Sequence, residues 1–451
     1  MNHRLTTEPT VKKLELVKEG SYENLLKLSI FMFISLIILL AVVTGSFQKA
    51  DYWYHLRYVP RYFTLPLFLY ACMVAIHLPY RAFLCFRYRS FPIKEKKRLP
   101  RVTVVIPAYN EGEMVEKSIL SAVAADYPKE LKEIICIDDA SKDDTWYYID
   151  RARKRYPDLV KTIRFKENKG KREALAAGMR IAKGDIIVTM DSDSVMEKDA
   201  LRAIVAPFDD PRVGAATAKV KVYNKTENLL TRMLAVRYTL AFEFFRASRS
   251  AFRTVFCCSG VLSAYRKTVI DKILEPWVNQ IFLNQRCTYG DDRSLTNFVL
   301  RSGYDTVYQK TAVVYTTVPN NLKKLAKMLT RWHKSFIRES IIFATFMFKR
   351  YRPRNRILPI FDFVLSVTLI PFQFYILFYS MRYFFIDPVL ILRFLAMISI
   401  MGSIYILLYI KFEKNTDFVF GMLYPYLHVF VLIWTVPYAI ITLRDTSWLT
   451  R

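Results

Sequence analysis

The sequence has few of the residues from which metal cages and disulfide frameworks are built. Five histidines and six cysteines are spread over 451 residues, without a CxxC pair and without a histidine at metal-ligand spacing from a cysteine. This scatter excludes a histidine–cysteine metal cage. The cysteines are therefore expected to be reduced thiols that face the cytosol or lie in lipid. They are Cys72, Cys85, Cys136, Cys257, Cys258 and Cys287.

Acidic residues are also scarce, because 40 Asp and Glu stand against 67 Lys and Arg, a formal net charge of +27. Such an excess is compatible with nucleic-acid binding, but here the basic residues cluster beside apolar segments. That placement is typical of the cytoplasmic loops of membrane proteins. With 53% hydrophobic residues, the chain is too apolar for an ordinary soluble enzyme, and we expect membrane lipids as partners and no nucleic acid.

Long apolar segments lie towards both ends of the chain. Residues 25–45 and 63–86 are long enough to cross a hydrocarbon core of about 30 Å, and no signal-peptide cleavage site is evident. The basic run RYRSFPIKEKKRLPR then places residues 87–101 in the cytosol. Near the other end, residues 359–385 and 388–412 are two further predicted spans.

The last apolar stretch, residues 417–443, is broken by Pro425 and Pro437. We predict that it does not make a simple single crossing, and that it forms either an interfacial helix with a re-entrant piece or a tight hairpin. The C-terminus would then stay on the cytosolic side. The predicted divisions are 1–100 (cytosolic segment and two spans), 101–320 (α/β domain), 321–350 (amphipathic helix) and 351–451 (C-terminal membrane region and tail).

The middle of the chain has a different pattern. RVTVVIPAYN, EIICIDDAS and DIIVTMDSDS are β-rich apolar runs that end in polar or acidic residues, with helical segments between them. This alternation predicts an α/β domain with a parallel sheet and helices on both faces. Ligands of such sheets bind beyond the carboxyl ends of the strands, where all three polar clusters lie. The sequence therefore predicts a binding site at this edge.

Carboxylates at two of these strand ends suggest specific chemistry. Asp191 and Asp193, two residues apart, could hold Mg²⁺ or Mn²⁺ against a diphosphate, because hard cations prefer oxygen ligands. Asp138 and Asp139 could accept a hydrogen bond from a uracil ring or could equally cap the next helix. Downstream, Asp291-Asp292 could be solvated charge, as most acidic pairs are, or part of a site.

Cationic segments accompany these carboxylates. Lys169, Lys171 and Arg172 open a predicted helix, so cations and free backbone N–H groups could meet phosphates there, although solvent exposure is the simpler interpretation for Lys169 and Arg172. Two basic amphipathic helices, within residues 227–252 and 322–341, are predicted to lie in the membrane interface. The second has an apolar stripe of Leu322, Leu325, Leu329, Trp332 and Phe336.

Several stretches, taken in order, resemble the membrane-integrated family 2 glycosyltransferases and, within them, the hyaluronan synthases. These stretches are PAYNE, IDDAS, MDSDS, CCSGVLSAYR, WVNQIFLNQRCTYGDDRSLTN, TRWHKSFIRES and the final SWLTR. The resemblance covers nearly the whole chain, and residues 277–297 are its most specific part. It implies a GT-A-type, Rossmann-like cytosolic domain inserted between transmembrane helices of the cell membrane, with amphipathic interface helices.

The resemblance also implies a donor site. Lys171 would bind the diphosphate, and Asp191 and Asp193 would place Mg²⁺ or Mn²⁺ on UDP, with Asp193 as the direct ligand. The uridine would be held by Tyr109, Glu111 and Asp139.

Acceptor-side roles follow from the same resemblance. Asp292 would be the general base, Arg331 would bind the diphosphate and Trp332 would stack against the acceptor sugar. The tail resembles a W-x-T-R gating segment that closes over bound nucleotide. Its matching residues are Trp448, Thr450 and Arg451.

Three positions depart from the pattern of hyaluronan synthases. Met328 stands where a glutamine is usual, Val261 replaces a proline, and Leu449 replaces a glycine. The expected function is a processive, inverting synthase that extrudes hyaluronan made from UDP-GlcNAc and UDP-GlcA, with the growing polysaccharide as a further partner. The alternatives are a synthase of another β-linked glycan, such as a chitin-like polymer from a single UDP-sugar, and a non-enzymatic membrane protein that binds polyanions.

Overall fold

A computed structural model describes residues 21–44, 61–93, 99–349, 356–384 and 389–445. Among the described residues, two helices precede the α/β domain: α1 (Ser21–Val43) and α2 (Arg61–Arg87). The helices of the domain are α3 (Met114–Ala124), α4 (Thr145–Arg155), α5 (Lys171–Ile181), α6 (Ala200–Val205), α7 (Leu229–Leu240), α8 (Ala247–Ala251), α9 (Lys267–Val278), α10 (Asp291–Arg301) and α11 (Leu322–Phe346). The C-terminal helices are α12 (Ile357–Phe384), α13 (Val389–Glu413), α14 (Phe418–Leu427) and α15 (Thr435–Ile441).

The strands form one eight-stranded sheet and a short hairpin. They are β1 (Val102–Ala108), β2 (Lys132–Asp138), β3 (Val160–Arg164), β4 (Ile186–Met190), β5 (Ser194–Met196), β6 (Val213–Val222), β7 (Leu262–Arg266), β8 (Ile281–Phe282), β9 (Gln285–Arg286) and β10 (Asp305–Thr316). The large sheet has the order β3-β2-β1-β4-β7-β6-β10-β5, and β8 pairs with β9.

The predicted parallel direction is correct for six of the eight strands in the large sheet, because β6 and β10 pair in parallel and run in the same direction as β3, β2, β1 and β4. Strands β3, β2, β1 and β4 are parallel, but β7 runs antiparallel to both β4 and β6, and β5 runs antiparallel to β10. The sheet is therefore mixed. Strand β1 is buried along its whole length, and its side chains alternate between two cores: Val104 and Ile106 pack on one face, Val105 on the other. This alternation fixes the register of the strand.

Within the described ranges, four helices are long and apolar enough to cross a membrane, and a fifth span would arise if the bent pair of α14 and α15 crosses as one. These helices indicate a multi-pass membrane protein. Between α14 and α15 lies a π-helical turn at His428–Leu432, and the two segments are bent by 44°. A bend of this size does not reverse the chain, so the predicted hairpin is wrong. The interfacial and re-entrant arrangement stays a prediction.

Ion pairs join the α/β domain to the apolar helices. Lys219 of β6 lies 2.6 Å from Glu243 and 3.0 Å from Glu413 at the end of α13. Within the helices, Arg81 of α2 and Asp362 of α12 form a 2.8 Å pair, and both side chains are fully buried. Because breaking a buried pair leaves an uncompensated charge, these contacts fix how the helices sit against the domain.

The stripe on α11 is less available to lipid than its periodicity suggests. Leu325 and Leu329 are buried in the main core of the domain, whereas Leu322 is exposed. The helix begins at Asn321, whose side chain accepts from the backbone N–H of Lys324 at 2.9 Å. Much of this amphipathic face therefore packs on protein. The interface role of its exposed residues stays a prediction.

Candidate active site

Strands β2, β1 and β4 are adjacent in the sheet, and their carboxyl ends open into a cavity of about 1040 Å³. The predicted donor residues share this cavity: all except Arg331, which lies within α11, follow a strand end or open a neighbouring helix. They are Tyr109, Glu111, Asp139, Lys171, Asp191, Asp193 and Arg331. The structure thus brings together one group of predicted residues that are separated by up to about half of the chain. We refer to this space as the donor cavity.

Asp139 has a second task inside the donor cavity. Its two carboxylate oxygens accept from the backbone N–H groups of Lys169 and Gly170, at 2.7 and 2.9 Å. Burial raises the pKa of Asp139, and these two hydrogen bonds oppose the shift. The carboxylate therefore shapes the turn that leads into α5 while lining the cavity.

Lys171 and the two carboxylates after β4 form a charged cluster. The Lys171 ammonium contacts Asp191. Burial disfavours its charge, but Asp191 more than offsets this, so the pKa of Lys171 is raised. The oxygens of Asp193 accept from weaker donors, the hydroxyls of Ser194 and Thr316 at 3.1 and 3.3 Å.

This cluster fits a divalent cation only with help from a ligand. The described part of the chain contains no group of three or more metal-ligating side chains. Two carboxylates would therefore share the cation with phosphate oxygens, which is the usual arrangement for Mg²⁺ at nucleotide sites. Asp191 must also balance the charge of Lys171, so Asp193 is the more suitable direct ligand.

A second cavity, of about 610 Å³, extends from the catalytic domain to the apolar helices. We refer to it as the acceptor cavity. Its walls include Asp292 and Trp332, and it reaches Gly402 of α13 and Gly421 of α14. Six residues line both cavities and separate them: Lys171, Asp191, Asp193, Thr317, Met328 and Arg331. The unusual Met328 thus places a thioether in this partition.

Asp292 lies in the first turn of α10, with its carboxylate towards the acceptor cavity. One oxygen accepts from the backbone N–H of Arg293 at 2.8 Å, and the other lies 3.3 Å from the Cys257 thiol. A half-buried carboxylate with one oxygen engaged only by a thiol can accept a proton.

The neighbouring Asp291 is buried and plays a different part. Its carboxylate forms a 2.8 Å ion pair with Arg172, and both side chains are only 5% exposed. Arg172 also donates to the carbonyl of Trp277 and the side chain of Gln280, at 3.0 and 3.1 Å. This buried pair holds the start of α10, which also carries Asp292. The interpretation of Arg172 as a solvated residue is wrong, because its side chain is buried in this ion pair. The pairing partner lies 119 residues away, so no local sequence pattern reveals it.

A further network of buried polar side chains supports the turn that contains Asp291 and Asp292. Gln280 accepts from Ser294 at 2.6 Å and donates to Glu339 at 3.2 Å. Arg338 donates to Glu339 at 2.8 Å and to the carbonyl of Tyr289 at 2.6 Å. Because these buried groups satisfy one another, they hold the Asp291-Asp292 turn in one position.

Trp332 is 38% exposed and lies on the wall of the acceptor cavity rather than on a free outer surface. Its ring is 6.3 Å from that of Tyr238. The remaining predicted residues, Trp448 and Arg451 of the tail, lie outside the described residues. The last described turn is tied to the loop that precedes α10, since Tyr289 donates to the carbonyl of Leu443 at 3.1 Å.

Gly290 provides a test of how tightly this loop is packed. Its φ of +73° is left-handed, and an added Cβ would lie 2.1 Å from the Ser335 hydroxyl and 2.6 Å from its Cβ. Gly290→Ala should therefore lower the free energy of unfolding by more than the roughly 1–2 kcal/mol of left-handed strain alone. The loss is measured as a fall in the thermal midpoint in detergent. Gly112→Ala is the control, because Gly112 also has a positive φ, +55°, and the nearest atom to an added Cβ is a carboxylate oxygen of Asp144 at 3.3 Å. Equal losses in the two variants would show that the Ser335 contact is not tight.

Sequence reasoning missed several residues of the acceptor cavity. Cys257, Arg237, Arg246 and Arg293 all line it. Arg237 and Arg246 lie on the amphipathic segment that was assigned to the membrane interface, and Arg246 closes a π-helical turn at Ala241–Arg246. Such turns are rare and frequent at functional sites, but no sequence signal predicted this one.

Comparison with known proteins agrees with this geometry. The model of the family described as Glycosyl transferase family 2 matches residues 103–274. A hyaluronan synthase of Streptococcus pyogenes is 35% identical over 388 residues, which is 85% of this chain and 90% of the relative. An N-acetylglucosaminyltransferase of Rhizobium meliloti is 32% identical over 249 residues, covering 55% of this chain and 58% of the relative.

Among solved structures, a mannosyltransferase from Pyrobaculum calidifontis in complex with GDP-Man and Mn²⁺ aligns with a TM-score of 0.52 and 20% identity. The alignment covers 78% of this chain and 96% of the mannosyltransferase. This likeness shows the GT-A-like fold. Together with the sequence relatives, it leads to one assignment: the chain belongs to the family 2 glycosyltransferases and is an enzyme of the hyaluronan synthase type.

Proposed function

We propose that the protein joins UDP-GlcNAc and UDP-GlcA into hyaluronan and extrudes the polymer through its own helices. The observation that best supports this proposal is that two cavities adjoin. The donor cavity lies at the strand ends, and the acceptor cavity reaches from Asp292 and Trp332 to Gly402 and Gly421. Since nucleotide sugars are made in the cytosol, the catalytic domain would face the cytosol, as its basic flanks also indicate.

In the proposed reaction, Trp332 stacks on the terminal sugar of the acceptor and directs one hydroxyl towards Asp292. Asp292 removes the proton from that hydroxyl as its oxygen attacks the anomeric carbon of the donor. The attack comes from the face opposite UDP, so an α-linked donor gives a β-linked product. Lys171 and Arg331, in the partition between the cavities, stabilise the charge that develops on the departing diphosphate.

Asp191 and Asp193 are proposed to hold Mg²⁺ or Mn²⁺. The bound cation would neutralise negative charge on the diphosphate of UDP. Two observations support this placement: the carboxylate oxygens lie at the end of β4, and they line the cavity that also contains the proposed uridine residues.

Asp193→Asn should weaken UDP binding in the presence of Mn²⁺ by at least about tenfold, or ~1.4 kcal/mol, because the amide loses the charge that the cation requires. The measurement is nucleotide affinity by calorimetry on purified protein, with and without Mn²⁺. In chelator the variant and the wild type should bind alike. Unchanged affinity with Mn²⁺ would refute the assignment of Asp193 as a ligand.

Donor requirement tests the product. Membranes that contain the protein should form a high-molecular-mass polymer only when both UDP-GlcNAc and UDP-GlcA are supplied, and hyaluronan lyase should digest it. Membranes with the Asp292→Asn variant serve as the blank. A long, lyase-resistant polymer from UDP-GlcNAc alone would instead favour a chitin-like product.

A further inference from the structure

Arg237 differs from the other cations of the acceptor cavity in its surroundings. Five cations line this cavity: Lys171, Arg237, Arg246, Arg293 and Arg331. Lys171 pairs with Asp191. Arg331 also borders the donor cavity, where a diphosphate is proposed to bind. Arg246 and Arg293 lie in the part of the cavity that contains Asp292, whose charge acts on Arg246.

Arg237, by contrast, is enclosed by aromatic rings. Its guanidinium carbon lies 5.8 Å from the ring centre of Trp332 and 5.0 Å from that of Tyr424. In the part of the chain that the structure describes, it takes part in no ion pair. The guanidinium is thus fixed in position by stacking, while its hydrogen-bonding edges stay available for a ligand.

A neighbouring histidine adds no charge beside Arg237. Burial lowers the pKa of His333 to about 4, and the charge of Arg237 acts in the same direction. His333 is therefore uncharged near neutral pH and lies beside Thr435, with 3.2 Å between Nδ1 and the hydroxyl. A positive charge among neutral and aromatic groups attracts an anion, and a low local dielectric strengthens that attraction.

The position of Arg237 narrows the choice of anion. The phosphate groups of a donor belong at the partition, whereas Arg237 lies beside Trp332, where an acceptor sugar is proposed to stack. Within an acceptor glycan, a carboxylate is the group that a planar guanidinium binds with two parallel hydrogen bonds. A neutral glycan would leave the charge without a partner.

We propose that Arg237 binds the carboxylate of a uronic acid unit in the acceptor chain, beside the sugar that stacks on Trp332. This inference rests on the proposed function and adds to it a residue that distinguishes an acidic polymer from a neutral one. Aromatic rings on both sides hold the guanidinium, and a passing polymer exchanges one carboxylate for the next as it moves towards Gly402 and Gly421.

The test compares two oligosaccharides of equal length on purified protein in nanodiscs: a hyaluronan hexasaccharide and chitohexaose. Wild-type protein should prefer the charged hexasaccharide by about tenfold or more, and Arg237→Gln should reduce this ratio to roughly one while chitohexaose affinity changes less than about twofold. Arg237→Lys should keep only part of the preference, because the positive charge remains but the planar guanidinium that makes two parallel hydrogen bonds is lost.

Two controls make the outcome decisive. Arg301→Gln, at the exposed C-terminal end of α10, should leave the preference unchanged. Raising the salt concentration should reduce the preference of the wild type, since the contact is charged. An unchanged ratio in Arg237→Gln, an equal loss for both oligosaccharides, or no preference in the wild type would each overturn the inference. Failure of the proposed function would instead appear as absence of a lyase-sensitive polymer from wild-type membranes.

Discussion

Replacing Asp292 by asparagine is expected to reduce polymer synthesis by roughly 10²–10⁴-fold, the usual contribution of a general base. The amide keeps the shape of the side chain and can still accept from the backbone N–H of Arg293, a 2.8 Å contact in the native protein. It cannot take the proton of an acceptor hydroxyl. UDP affinity should stay within about twofold, because Asp292 lines the acceptor cavity and not the donor cavity.

The matched control for this change is Asp271→Asn. Asp271 pairs with Lys267 on the outer surface of α9, at 2.7 Å and 51% side-chain exposure, so the same chemical change there should leave polymer synthesis intact. The measurement is incorporation of labelled sugar by membranes that carry equal amounts of each variant. Near-normal turnover in Asp292→Asn would remove Asp292 from the role of base.

Arg172→Met is expected to destabilise the protein by about 3–5 kcal/mol, because it leaves the buried Asp291 carboxylate without its partner. The side chain of Gln280 and the carbonyl of Trp277 would also lose a donor. Unfolding in detergent, followed by thermal denaturation and by loss of UDP binding, measures the effect. We expect activity to fall by more than the loss of stability alone would cause, since Asp291 directly precedes Asp292, the proposed base.

Two further variants separate the pair from its surroundings. Arg180→Met, on the same helix, breaks an exposed 2.8 Å pair with Glu275 and should cost only about 0–1 kcal/mol. In the double variant Arg172→Met/Asp291→Asn, no buried charge is left unpaired, so the double variant should be more stable than Arg172→Met alone. Additive losses would mean that the two side chains are not coupled.

Local patterns predicted much of the donor side. Apolar runs that end in Tyr109, Asp139 and Asp191 identified strands, and the rule that ligands bind beyond strand ends placed these residues at one edge. Their adjacency in the order β2-β1-β4 confirms that expectation. The spans α12 and α13 were also predicted to within a few residues, because long apolar segments are strong signals.

Features that depend on distant pairings could not be predicted in this way. The antiparallel direction of β7 is set by its partners β4 and β6, not by the five residues LSAYR. Likewise, a helical stripe shows which residues share a face but not what covers them. For this reason Arg237 was assigned to a membrane surface, whereas it lines an internal cavity beside Trp332.

The two adjacent pairs Lys171-Arg172 and Asp291-Asp292 have a consequence for protein engineering. Arg172 and Asp291 form a buried ion pair, and their neighbours Lys171 and Asp292 line the acceptor cavity. The start of α5 and the start of α10 are therefore one functional module, although 119 residues separate Arg172 from Asp291. Consider a chimera that takes only one of these helix starts from a relative in which the buried pair differs. The buried ion pair should then be broken, and Asp292, the proposed base, should be displaced. Recombination of such enzymes should consequently exchange both starts together.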